Sequence, residues 1–309
     1  MLSINESNHF MTEQHSTDDI LYSLTNFYQA CSANPEFGGQ FTSLLRDTEL
    51  QSRAPMTWHA QLEDLVKSNM EFNEKTVEFI LENPEIMNAI LPGNFEEVSA
   101  DVELVRSSPF AKEAFDLCFN ALDGQPAPET VETFLNYQDL RLGVLPELMG
   151  MNPVNMPVLF EEKMQAIRKF LYFMITHLYQ EQLTFLLRMS SLYFEKPQKM
   201  PDELGKIINQ CRNIWTNQRP EMLCLLNEDF RIVRNSEAHK NTVMDVRAET
   251  VTFINKRNGE DEVLGSLTGF EVAELLQKLM ATCFGMLSGI RLARFVYKNG
   301  IIRSSTSGF

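Results

Sequence analysis

Apolar side chains recur three and four positions apart along most of the 309-residue chain, the spacing that lines one face of an α-helix. In the first half the pattern runs through residues 58–81, 102–122 and 129–141, with acidic side chains on the opposite faces. It breaks at Asn34-Pro35, Asn83-Pro84, Leu91-Pro92-Gly93 and Gln125-Pro126, all pairs that favour turns. Residues 144–158, VLPELMGMNPVNMPV, hold Pro146, Gly150, Pro153 and Pro157. Each proline disfavours helix in the residue before it, which predicts a boundary between an acidic helical domain at 1–150 and a second domain at 151–309.

Past that boundary, residues 159–194 run without Pro or Gly, long enough to span a domain as its main core helix. Helical spacing resumes over 202–215 and again from Pro220 to about Glu237, with Pro197, Pro201, Asn217 and Pro220 between the stretches. After His239 the spacing changes to alternation around Asn258-Gly259. That dipeptide tolerates positive φ at both positions and predicts a β-hairpin over about 246–267. Thr268-Gly-Phe-Glu271 then reads as a capping box opening a last helix that runs to about Tyr297. Its Gly285, Ser288 and Gly289 fall on nearby turns and predict the close approach of another helix, assigned to a second copy of the chain. The fold class is all-α, in two helical domains, with a small β-hairpin before the last helix.

Charge changes this picture by separating the halves. The chain carries a formal −15, but residues 1–154 hold 7 basic and 25 acidic side chains, a net −18. Residues 155–309 hold 20 basic and 17 acidic, a net +3. Such an asymmetry suggests separate jobs, one of them at a polyanion. The acidic half is expected either to restrain the basic one, by lying over Arg231, Arg234 and Lys240, or to form ordinary solubilising faces, and it is the expected place for a regulatory protein partner. Five widely spaced cysteines without a CxxC pair fit a reducing, cytoplasmic setting. The polar N-terminus lacks the pattern of a signal peptide. The apolar run 279–290 is too short to cross a bilayer, so no membrane association is expected.

The chemistry concentrates in Arg231-Ile-Val-Arg234-Asn235-Ser-Glu-Ala-His239-Lys240. An imidazole titrates near neutrality and can take or give a proton, while a guanidinium stays charged and matches phosphate oxygens with a planar fork. The string RNSEAH resembles the Arg-x4-His motif of the HEPN superfamily. The order of apolar helix, Arg-Asn-x3-His, hairpin with an Asn-Gly turn and capped helix resembles bacterial members over roughly the last half of the chain; the first half resembles nothing comparable. The resemblance implies a homodimeric, metal-independent endoribonuclease that acts on RNA without a cofactor, such as an effector or toxin of a stress or phage-defence system. Arg234 would hold the scissile phosphate, Asn235 would position it and His239 would be the acid/base. Arg231, Lys240 and Arg247 would extend the positive surface to neighbouring phosphates.

Two readings compete with this one. An Arg, an Asn and a His at a helix end also cap carbonyls and solvate a surface, and a HEPN-like domain without activity would serve as a dimerisation or nucleotide-binding module. Geometry restrains the catalytic reading too: at about 100° per residue, Arg234 and His239 sit about 140° apart on a continuous helix. The helix must end or bend between them, or a second chain must complete the site. Cys211, Cys224 and His239 lack zinc-ligand spacing, and His177 reads as a partly buried core histidine. The pairs Asp18-Asp19, Glu96-Glu97 and Glu161-Glu162 read as solvated faces, and phosphate-loop, HExxH and GxSxG motifs are missing.

Overall fold

Prolines open several of the helices, since a proline at the first helical position gives up an N–H that has no partner there. The structure, a computed structural model, describes residues 17–69, 72–84, 95–123, 126–137, 159–196, 199–257 and 260–298. Pro35, Pro55, Pro109 and Pro128 each begin a helix. The stretch 102–122, expected as one helix, is therefore two: the residue before Pro109 is held extended at φ −112°, ψ 122°. The stretch 58–81 is likewise divided, where Asn73 caps a new helix start by accepting from Thr76 N.

The chain forms two compact units, residues 1–99 and 100–309. The first holds α1 (Thr17–Ala33), α2 (Pro35–Arg46), α3 (Thr48–Arg53), α4 (Pro55–Lys67) and α5 (Glu74–Glu82). Its core gathers the rings of Phe27, Phe37, Phe41 and Phe72, with Phe27 and Phe41 at 5.0 Å between centroids. The division falls within α6 (Phe95–Ser107).

The second unit holds α7 (Pro109–Leu122), α8 (Pro128–Leu135), α9 (Phe160–Met174), a π-helical turn (Ile175–Tyr179), α10 (Gln180–Tyr193), α11 (Leu204–Gln218), a 3-10 turn (Pro220–Leu225) and α12 (Glu228–Ala238). Strands β1 (Thr242–Asp245), β2 (Thr250–Arg257) and β3 (Glu260–Thr268) come next, and α13 (Gly269–Lys298) ends the described chain. The unit boundary thus lies some fifty residues before the expected one, because α7 and α8, read with the acidic half, pack in the second unit. The proline-rich segment 144–158 lies outside the described residues.

The small-residue row finds its partner inside the chain. A Cβ on Gly289 would collide with Ala111 O and stand 2.8 Å from Phe115 N, and one on Gly285 would stand 2.8 Å from Phe110 Cβ. The backbone of α7 therefore occupies the face of α13 that was assigned to a second copy. Ion pairs tie down the same region: Arg291 of α13 grips Asp101 of α6, with Nε at 3.0 Å from Oδ2, and Arg219 holds Glu113 and Asp116 of α7 at 3.1 and 3.2 Å. These acidic side chains of the first half meet Arg219 and Arg291, not Arg231, Arg234 or Lys240. In length and apolarity α13 matches a membrane-spanning helix, and 67% of its most apolar window is buried inside the molecule.

The expected hairpin is the larger part of an antiparallel sheet in the order β1-β2-β3. Arg257 pairs with Glu260 across Asn258 and Gly259, which themselves lie outside the described residues. The register slips between Phe253 and Ile254, as a bulge in β3 requires. The capping box forms as expected: Thr268 N donates to Glu271 Oε2 at 2.7 Å, and Glu271 N donates to Thr268 Oγ1 at 3.3 Å.

Candidate functional site at the end of α12

The helix α12 that carries the motif is fixed at both ends. At its start, Asn227 caps the helix by accepting from Asp229 N at 2.9 Å. Buried Tyr179 donates its hydroxyl to Leu225 O at 2.8 Å and accepts from Asn227 N at 3.1 Å. The Tyr179 ring meets Phe230 edge-on at 4.9 Å between centroids. Tyr179 closes the π-helical turn, an irregularity that adds a residue to a helical turn and so rotates the faces of the helix beyond it. The core run 159–194 is thus two α-helical segments joined by that turn. His177 sits in it, half-buried with its ring 4.8 Å from Phe173, as its sequence surroundings suggested.

At the other end, α12 stops at Ala238, with His239 as its C-cap. Lys240 takes φ 55°, its N–H bonds to Glu237 O, and the N–H of Asn241 bonds to Ser236 O at 2.8 Å. This pair of bonds closing over a left-handed residue is a Schellman motif. The helix is unbroken between Arg234 and His239, because the His239 N–H still bonds to Asn235 O at 3.1 Å. The bend that would bring the two side chains together is therefore not there. They stay about 140° apart, on the two flanks of the exposed face with Asn235 between them. No hydrogen bond joins them among the described residues.

Arg234 is half-buried and donates from Nη1 to the neighbouring Asn235 Oδ1 at 3.3 Å. Its Nε is shut off from solvent and has no protein partner. Among the described residues it faces no carboxylate, whereas Arg168, Arg212, Arg219, Arg231 and Arg291 each do. Arg231 bonds Glu228 Oε2 at 2.7 Å, and Arg212 takes the other oxygen at 2.6 Å. Burial pushes the Glu228 carboxyl up, but these hydrogen bonds and charges outweigh it and hold the carboxyl below the usual range. His239 and Lys240 are exposed, and the His239 imidazole makes no hydrogen bond among the described residues. Arg247 is exposed in the turn between β1 and β2, where Asp245 Oδ1 accepts from its backbone N–H at 2.9 Å. No contact among the described residues joins it to Arg234 or His239.

Sequence reasoning missed a cluster just beneath the motif. Glu237 Oε1 accepts from Arg168 Nε of α9 and from Thr242 Oγ1 of β1. Glu237 lies inside the RNSEAH string, but nothing in the sequence ties it to an arginine 69 positions upstream. Among the described residues no three His, Cys, Asp or Glu side chains gather as metal ligands.

Compared with known families, characterised proteins and solved structures, the chain gives no match.

Proposed function

We propose that the end of α12 is an RNA-cutting site of HEPN type. Arg234 holds the scissile phosphate, Asn235 positions it, and His239 moves the proton between the 2′-hydroxyl and the leaving 5′-oxygen, giving a 2′,3′-cyclic phosphate. The observation that carries this reading is the Arg234 guanidinium, half-buried, facing no carboxylate among the described residues and with an orphaned Nε. An uncompensated cation with a buried, unbonded donor costs on the order of 1–3 kcal/mol in the folded chain. An anionic ligand such as a phosphodiester offsets that cost, and a guanidinium suits it geometrically. The exposed Lys240 and Arg247, with the outer edge of Arg231, offer charge to the flanking phosphates. Since Arg234 and His239 do not share a face, the active species is a homodimer in which a second copy completes the site. The acidic residues 1–99, with 16 acidic and 4 basic side chains, suit a regulatory partner of opposite charge. Cellular service in a stress or phage-defence response is an analogy with the family.

Two observations favour a second reading, a non-catalytic interaction module: Arg231 is already committed to Glu228, and the amide oxygen of Asn235 is taken by Arg234. Purified protein incubated with total RNA in EDTA separates the two. Fragments ending in 2′,3′-cyclic phosphate support the enzyme, and intact RNA supports the module.

A further inference from the structure

The contact beneath the motif is a nearly buried ion pair. Glu237 Oε1 accepts from Arg168 Nε at 2.7 Å and from Thr242 Oγ1 at 2.8 Å, and the side chains of Arg168 and Glu237 are each 14% exposed. So dry a pair adds little net stability, because desolvation offsets the attraction; its better-supported use is to select one arrangement over others. Here it joins three elements: α9, the last turn of α12 and the first residue of β1. His239 lies between Glu237 and Thr242 in sequence, so both ends of the reversal that carries it converge on one carboxylate oxygen. Within that reversal the backbone is pinned again by the Schellman bonds of Lys240 and Asn241.

We propose that Glu237 is the positioning residue of this site, setting through Arg168 and Thr242 the turn from which His239 is presented to RNA. The proposal rests on the ribonuclease reading above. Glu237 does not touch the imidazole: two residues along a helix put the side chains about 160° apart. Its influence travels through the backbone of the turn. A displacement of about 1 Å at a proton-transfer group costs on the order of a hundredfold in rate, so a loosened turn shows in kcat rather than in KM.

The test uses the full chain with Glu237→Ala and Glu237→Gln, a defined RNA, and the imidazole NMR signals of His239 assigned with His239→Ala. The alanine variant is expected to lower kcat about tenfold or more with KM nearly unchanged, and to shift the His239 signals. The glutamine variant, whose amide oxygen still accepts from Arg168 and Thr242, is expected to return both to near the wild-type state. Wild-type kcat and unmoved His239 signals in Glu237→Ala overturn the proposal, as does a kcat loss no greater than the loss of folded fraction. If Glu237→Ala does not fold, Thr242→Val, which removes one bond without stranding Arg168, decides on the same two readouts. If the wild type cuts no RNA, the ribonuclease reading falls, and the His239 signals alone decide whether Glu237 sets the turn.

Discussion

Lys240 occupies a position that usually belongs to glycine. At φ 55° after the C-cap of α12 it closes the Schellman motif, where a side chain costs roughly 1 kcal/mol more than glycine does. Strain of this kind persists where the residue itself is wanted, and here it sets an ammonium beside His239. Lys240→Gly is therefore expected to raise stability by about 0.5–1 kcal/mol while weakening RNA binding, checked by urea denaturation and by filter binding on the same preparation. A variant that loses stability would show that the lysine is not strained. The letters of Arg234, Asn235, His239 and Lys240 were legible in the sequence. The left-handed turn at Lys240 was not, because no glycine announces it, and the Arg168–Glu237 pair was not, because it joins residues distant along the chain.

Among the elements, α7 and α13 make the clearest lesson. The Gly285-Ser288-Gly289 row announced a close helix contact correctly, but small residues do not say which helix arrives, and the one that arrives is α7 of the same chain. Gly289→Ala would drive its Cβ into the α7 backbone, which cannot move aside as a side-chain tip would. A loss of about 2–3 kcal/mol in thermal or urea unfolding is expected. Gly265→Ala, with no heavy atom within 4 Å of its Cβ position, is expected to cost far less, and equal losses would contradict the packing described. The capping box and the Asn-Gly hairpin were legible because each depends on a few adjacent residues. Strand β1 was not: it is four residues long and Val243 points into solvent at 55% exposure. The π-helical turn interrupts a run with no Pro or Gly to mark it. Where α7 meets Arg219, burial pushes the Glu113 carboxyl up, and the opposing charge and hydrogen bond of Arg219 do not cancel it. A carboxyl raised on folding favours the folded state at low pH, and that contribution is lost as pH rises through and above the usual carboxylate range. Between about pH 4 and 7, Glu113→Gln should therefore gain stability relative to the wild type as pH rises. Melting temperatures of the two proteins across that range check the sign.

For the whole molecule, the division at residues 99 and 100 rather than near 150 moves α7 and α8 into the unit that carries the motif. The sequence showed proline-rich punctuation at 144–158, but punctuation marks where helices stop, not which helices share a core. A fragment beginning at residue 155 would strip α7 from the glycine row, so residues 100–309 are the natural unit to isolate. The unbroken helix between Arg234 and His239 places the catalytic reading on an assembly of two chains. Mixing Arg234→Ala with His239→Ala protomers is expected to restore part of the activity that each lacks alone, because one composite site then keeps both groups; mixed dimers that form but stay inactive would confine each site to one chain. The ribonuclease reading requires Arg234 and His239 to act on RNA. Cleavage of a defined RNA in EDTA by the wild type, Arg234→Ala and His239→Ala, each shown folded by circular dichroism, decides whether they do. Expected are 2′,3′-cyclic phosphate ends from the wild type and a rate lower by about a hundredfold or more in both variants. Cutting by either folded variant at the wild-type rate, or no cutting by any of the three, would contradict the ribonuclease reading.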